Sequence, residues 1–283
     1  MKICHLCSTT LPDNARFCYN CGAPQAVSAN VQRQKVRLNG DVAQQIFDQF
    51  FPAFRERIEA EHHPAQLQLY AARLNQSGFE EVVQYRATQL TEQIKYLDSQ
   101  DLLPDKKLNS LIDNAFEDML DYFIIHFCKD INEIPLPENI LNYQNVSWQD
   151  VNRFQMIMDY LDFEQESETV YTDFLAMPIE KLRNASKSYL FPQPQERIFF
   201  ICDQSILGSA KEGFALTERA VYWKAHLEKS RRVPFDSLLT FERKKDWITI
   251  NGAFFNVNPS INLKLLKLLK KIKRLHDDDV AGF

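Results

Sequence analysis

Four cysteines dominate the first residues of this chain. The opening stretch "CHLCSTTLPDNARFCYNCG" carries Cys4, Cys7, Cys18 and Cys21, two Cys-x-x-Cys pairs separated by ten residues. In each pair the two-residue gap lets both sulfurs of one tight turn reach a common point. Two such pairs supply four thiolates, a tetrahedral set that suits Zn²⁺. An iron site would use the same sulfurs. A thiol–disulfide centre fits less well, because two pairs this close argue for one shared ion. A segment this short has little core of its own, so the metal is expected to supply most of its folding energy. Phe17, Leu6 and Leu11 can cover the site, and His5 and Asn20 read as exposed rather than ligating.

The remaining two cysteines, Cys128 in "IIHFCKD" and Cys202 in "IFFICDQ", lie alone in apolar surroundings and read as buried small hydrophobes. Clustered pairs with few other cysteines suit a reducing compartment, and "MKICHLC" lacks a signal-peptide core. The expectation is therefore a cytoplasmic protein. No apolar run is long enough to span a membrane.

Charge divides the chain into three. Residues 1–39 have net charge +4, residues 40–190 have −14, and residues 191–283 have +5. An acidic body argues against the whole chain lying along nucleic acid. Residues 25–40 are polar and read as a linker. Residues 41–190 read as an acidic α-helical domain, with no glycine between Gly78 and Gly208. Asp41 is a candidate N-cap for a first helix carrying Ile46, Phe47, Phe50 and Phe54, which Pro52 kinks or ends. Pro64 suits the first turn of a second helix, closed by Gly78. Leu108, Ile112, Ala115, Met119 and Phe123 form one face of a later helix. Ser147 and Asp150 resemble a capping box before "WQDVNRFQMIMDYLDF", and a last helix covers about 168–188.

Residues 195–283 change character. "RIFFIC", "GFALTERAVYWKA", "SRRVPF", "LLTFERK" and "WITINGAFFNV" predict about seven short strands. The last of these is a hairpin turning at Asn251-Gly252. One helix, "INLKLLKLLKKIKRLHD", follows. Ile261, Leu265, Leu268, Ile272 and Leu275 make its apolar stripe, expected to plug the sheet. Lys264, Lys267, Lys271 and Arg274 make a basic face, read as solvated. That face offers two other uses: contact with an anionic membrane, weakened by Asp277, Asp278 and Asp279, or docking against the acidic helical body.

The segment ending Phe17-Cys18-Tyr19-Asn20-Cys21-Gly22 resembles the short zinc ribbons at the N-termini of bacterial proteins. The resemblance covers about 22 residues and implies a closed structural zinc site. Ser8 departs from the glycine often found after the first pair. The strand order of 195–283 resembles the bacterial pleckstrin-homology-like domains. That resemblance implies a bent antiparallel sheet capped by the final helix, used for binding or assembly and without catalytic residues.

No phosphate-binding glycine motif, nucleophile elbow or nucleophile–base pair is legible, so no catalytic residue is assigned. His62-His63 reads as an exposed helix end, and the acidic run 162–168 as a solvated loop. The expected whole is a multidomain α+β protein: zinc ribbon 1–24, linker 25–40, helical domain 41–190 and pleckstrin-homology-like domain 195–283. Its expected function is that of a non-enzymatic adaptor with a protein partner. The alternatives are a nucleic-acid-associated regulator using the ribbon and its basic flank, and a peripheral membrane sensor using the C-terminal helix.

Overall fold

The computed structural model describes residues 2–4, 6–11, 18, 35–62 and 66–280. They form a multidomain α+β chain of two compact units, Met1–Pro135 and Leu136–Phe283.

The first unit begins with a small antiparallel hairpin, β1 (Lys2–Ile3) with β2 (Thr10–Leu11). Four helices follow: α1 (Val42–Glu61), α2 (Leu67–Gln76), α3 (Phe79–Ser99) and α4 (Asp105–Phe127). Asp41 caps α1 as expected, its carboxylate accepting from the Gln44 N–H at 3.0 Å. Pro52 does not end α1, which runs on to Glu61. Proline costs the helix one backbone hydrogen bond, and burial of Phe50, Ala53 and Phe54 on either side offsets that. Gly78 closes the turn between α2 and α3 with a φ of 71°, the left-handed region that favours glycine. Edge-on aromatic pairs fill the bundle core, with ring centres 5.9 Å apart for Phe50–Phe116 and 6.0 Å for Phe54–Phe123. The core face of α4 uses Phe116 where the periodicity suggests Ala115, which is only half-buried.

Charge enters this core at one place. Arg57 is buried on α1 and meets Glu61 of its own helix and Glu117 and Asp121 of α4, the last at 2.6 Å. Burial alone would favour loss of its proton. The three carboxylates outweigh that and hold the guanidinium charged. His62 is buried too, against the expectation of an exposed helix end. Its ring lies 2.9 Å from the Tyr70 hydroxyl, which donates to the Asn132 side chain at 2.7 Å. Asn132 in turn donates to the Ile124 carbonyl at 3.0 Å. His63 and Pro64 lie outside the described residues.

The second unit starts well before the predicted β domain. It opens with a 3-10 turn at Glu138–Tyr143 and α5 (Arg153–Leu161). Half of the capping box forms, with the Asp150 N–H donating to the Ser147 hydroxyl at 3.2 Å, while that hydroxyl, not the Ser147 N–H, donates to the Asp150 carboxylate at 2.7 Å. The helix itself begins later, where Asn152 accepts from the Gln155 N–H at 3.2 Å. The stretch expected as one helix from about 168 divides into β3 (Thr169–Tyr171) and α6 (Ile179–Ser188). Thr-Val-Tyr suits a strand, and Pro178 fixes the later helix start.

The seven predicted strands are present: β4 (Ile198–Asp203), β5 (Gly213–Thr217), β6 (Ala220–Lys224), β7 (Arg231–Pro234), β8 (Phe241–Lys244), β9 (Trp247–Ile250) and β10 (Ala253–Phe255). They form two antiparallel sheets, β3-β4-β5-β6-β7 and β8-β9-β10. Asn251 and Gly252 turn the last hairpin with φ of 49° and 76°, the positive pair that a type I′ turn requires. Gly213 has no alternative, since a Cβ there would lie 2.0 Å from the Cys202 carbonyl oxygen. The chain closes with α7 (Pro259–Val280), which packs on α5, β8 and β9.

The boundary at Pro135/Leu136 corrects the expected helical domain 41–190. Residues 136–190 belong with the sheets because β3 pairs with β4 and α5 packs on α7. The basic face of α7 is corrected as well: Lys264, Lys267 and Lys271 are buried rather than solvated. Lys264 reaches Glu166 at 2.7 Å and Asp162 at 3.8 Å. Glu166 also accepts from Ser260 at 2.6 Å and Asn258 at 3.1 Å, so the acidic run 162–168 is not a simple solvated loop.

Burial works to raise the Glu166 carboxyl, but the hydrogen bonds from Lys264, Ser260 and Asn258 prevail and hold it below its ordinary value of 4.5. The stabilisation is complete above the unfolded carboxyl's titration range. It is lost as pH falls through the lowered folded value. Lys264→Met is expected to cost about 3 kcal/mol at neutral pH, measured by urea unfolding. The deficit relative to wild type should shrink in acid. A deficit that does not change with pH would show that packing, not the ion pair, is lost.

Candidate metal centre

The β1–β2 hairpin places the first cysteine pair. The Cys4 N–H donates to the Thr9 carbonyl at 2.9 Å, and the Ser8 N–H donates to the Cys4 carbonyl at 3.0 Å. These two bonds close a tight turn around Cys4–Thr9. Ser8 takes a φ of 59°. That is the left-handed position where a glycine would relieve strain, so the departure at Ser8 falls on the residue that pays for the turn conformation.

Inside the turn the sulfurs converge. One ligand atom from each of Cys4, Cys7 and Cys18 lies within 4.8 Å of the other two. The Cys7 and Cys18 sulfurs are 3.4 Å apart. Four sulfurs held about 2.3 Å from one zinc ion stand about 3.8 Å from each other at the corners of a tetrahedron, so the three thiols fit three of those corners. Cys4 and Cys18 are buried and Cys7 half-buried, as in a closed site. The Leu6 N–H points at the Cys4 sulfur at 3.4 Å, and the Thr9 hydroxyl lies 3.1 Å from the Cys7 sulfur. Donors aimed at sulfur offset the charge of thiolates and fix their direction. Cys21, the fourth predicted ligand, lies outside the described residues, as do Phe17 and Gly22.

The comparison with known families agrees with this geometry. Residues 3–25 match the zinc-ribbon domain, a span that holds all four cysteines. No curated protein and no solved structure matches the chain. The site is thus a zinc site of the ribbon type, in which Cys4, Cys7 and Cys18 would hold the ion and Cys21 is the fourth ligand that the sequence offers. Thiolate ligands would give zinc a structural task in a segment with little core of its own.

The other predicted thiols behave differently. Cys128 and Cys202 are buried, and burial pushes both above the ordinary thiol value, Cys128 to about 12. At neutral pH both stay protonated, unlike metal-bound sulfur. Part of the basic flank predicted beside the ribbon is also placed. Lys35 lies 3.5 Å from Asp105, with both side chains exposed. Arg16 and Arg33 lie outside the described residues.

Sequence reading missed two polar clusters, around Arg57 and around Lys264. The signals for the first are weak but present: Arg57 and Glu61, and Glu117 and Asp121, are each spaced by four on a helix, beside the apolar stripe.

Protein purified without chelator should contain about one zinc per chain by elemental analysis. A thiol reagent should then leave the protein unmodified until a chelator strips the metal. After stripping, the ribbon cysteines should react while Cys128 and Cys202 stay protected until denaturant is added. Equal reactivity of Cys7 with and without chelator would contradict a metal-bound sulfur.

Proposed function

We propose that the chain is a non-enzymatic zinc-binding adaptor that joins other proteins through its ribbon and its C-terminal β unit. The observation that carries this reading is the sulfur cluster of Cys4, Cys7 and Cys18 on a hairpin of two-residue strands. A metal spent on folding so small a module makes sense where the module presents a surface. Support for the second contact module comes from strand order. A four-strand run, β4 to β7, and a three-strand run, β8 to β10, are followed by a closing helix, the order of a pleckstrin-homology-like domain. In this reading neither module has a catalytic task.

The test is capture from the native cell by cross-linking, with mass spectrometry, using wild type and Cys4→Ser/Cys7→Ser. A partner retained by wild type and reduced at least about tenfold by the ribbon variant supports the adaptor. Identical capture by both removes the ribbon from the contact.

A second reading, attachment to an anionic membrane, is favoured by one observation. Ile206, Leu207 and Leu227 are 84%, 91% and 89% exposed. They sit on the β4–β5 and β6–β7 connections, which the Glu212–His226 contact at 2.9 Å holds side by side. Lys211 and Lys229 lie on the same two connections. Aliphatic tips flanked by lysines suit insertion between acidic headgroups. The basic face of α7 does not serve here, because Lys264, Lys267 and Lys271 are buried. Wild type should co-sediment with phosphatidylserine vesicles and Ile206→Ser/Leu207→Ser/Leu227→Ser should not. Wild type left in the supernatant would end this reading.

A further inference from the structure

The β4 strand is only partly covered on its outer edge. β3 pairs with Ile201, Cys202 and Asp203, its last residue, Tyr171, standing opposite Ile201. The chain then leaves the sheet at Thr172. Among the described residues, Ile198 and Phe200 therefore pair with β5 on one side and with no strand on the other, and Phe199 bulges between them. A strand edge left this way presents backbone groups that another extended chain can pair with.

A cleft of about 400 Å³ lies at this edge, walled by Phe154 of α5, Thr172 and Phe174 after β3, Leu182 of α6, and Arg197 and Phe199 where β4 begins. Its walls are mostly apolar. Its charge comes from two neighbours with opposite situations. Glu196 is buried, and its carboxylate is already occupied by the Gln193 N–H at 2.7 Å and by the hydroxyls of Thr217 and Tyr222. Arg197 is exposed. Its guanidinium carbon stands 5.7 Å from the ring centres of both Phe154 and Phe199, and among the described residues it has no carboxylate partner. The cleft thus offers a cation held over aromatic rings, beside an acid whose oxygens already accept hydrogen bonds from within the fold.

We infer that this cleft receives an extended peptide segment of a partner protein, one carrying a carboxylate close to an aromatic or aliphatic side chain. The apolar side chain enters among Phe154, Phe174 and Leu182. The carboxylate meets Arg197, and the peptide backbone lies along Ile198 and Phe199, continuing the sheet where β3 leaves it. An arginine fork binds a carboxylate with two parallel hydrogen bonds, which selects for that group over a neutral amide. Strand addition supplies affinity and the pocket supplies specificity. The inference rests on the adaptor reading and gives one of its contacts a chemistry. The site is distinct from the ribbon.

The test uses the full zinc-loaded chain and a displayed library of random dodecapeptides. Enriched peptides should share an acid near an aromatic or aliphatic residue. Synthetic copies, followed by fluorescence anisotropy, should bind Arg197→Glu and Phe174→Ala at least about tenfold more weakly than wild type. Both substitutions are at the cleft wall, and an unchanged circular dichroism spectrum confirms folding. Copies with an amidated C-terminus, and copies with Asn or Gln in place of the acid, tell a terminal carboxylate from a side-chain one. Indifference to both changes overturns the proposal, as does a library that yields no enriched peptide or peptides that bind Arg197→Glu as tightly as wild type. Cellular capture that depends on the ribbon but not on Arg197 would leave the adaptor standing and remove the cleft.

Discussion

The buried contact between Lys264 and Glu166 orders the second unit. A lysine inside a protein is tolerated only when a carboxylate and further hydrogen bonds replace its water. Here the carboxylate comes from a connection nearly a hundred residues earlier, at 2.7 Å, and Ser260 and Asn258 complete its shell. Asn258 has a second task, since its side-chain oxygen accepts from the Ile261 N–H at 2.7 Å and starts α7. One small group of side chains therefore begins the closing helix and ties it to the loop between α5 and β3. The position of that loop in turn sets where β3 lies against β4. The unit has to begin before α5, because α5 and the connection after it supply partners of the last helix.

This tie also explains what the sequence could and could not convey. The metal ligands are legible because four thiols at fixed spacing have few other uses. The β meander is legible because strand periodicity and the Asn251-Gly252 turn are local signals. Helices were readable as helices for the same reason. Membership was not: nothing in the periodicity of "WQDVNRFQMIMDYLDF" says whether its apolar face meets another helix of the acidic body or the underside of α7. Lys264 was misread for a related reason. A lysine repeat along a helix face looks solvated, and only the distant Glu166 makes burial of its first member affordable. The clue was the acidic run 162–168, which charge counting treats as a property of the segment and not as one half of a pair.

The same reasoning applies to the acidic middle of the chain. A net charge of −14 over residues 40–190 suggests a strongly negative surface. Part of that charge is internal. Glu61 and Asp121 are buried against Arg57, and Glu166 is held by Lys264. Each unit thus has a buried cation that meets more than one carboxylate, Arg57 in the first and Lys264 in the second. Such groups contribute little net stability compared with an apolar core of equal volume. Their geometry is restrictive, however. Arg57 can satisfy its fork only if α1 and α4 stand in one register, because Glu117 and Asp121 are four residues apart on α4 and both are used.

The ribbon differs from the helices of its own unit, and from the second unit, in what holds it. Its strands are two residues long, its turn puts Ser8 in a left-handed conformation, and the sulfurs of Cys4, Cys7 and Cys18 converge where a metal would tie them together. Without a metal the turn would be left with its backbone hydrogen bonds from Cys4 to Thr9 and from Ser8 to Cys4. Removing one buried pair elsewhere leaves a large apolar core in place. Surface presented by the ribbon is therefore conditional on zinc, while the edge of β4 and the loops at the other end of that strand are held by the sheet. In the adaptor reading, contacts made through the ribbon would therefore depend on metal supply, and contacts made through the β unit would not.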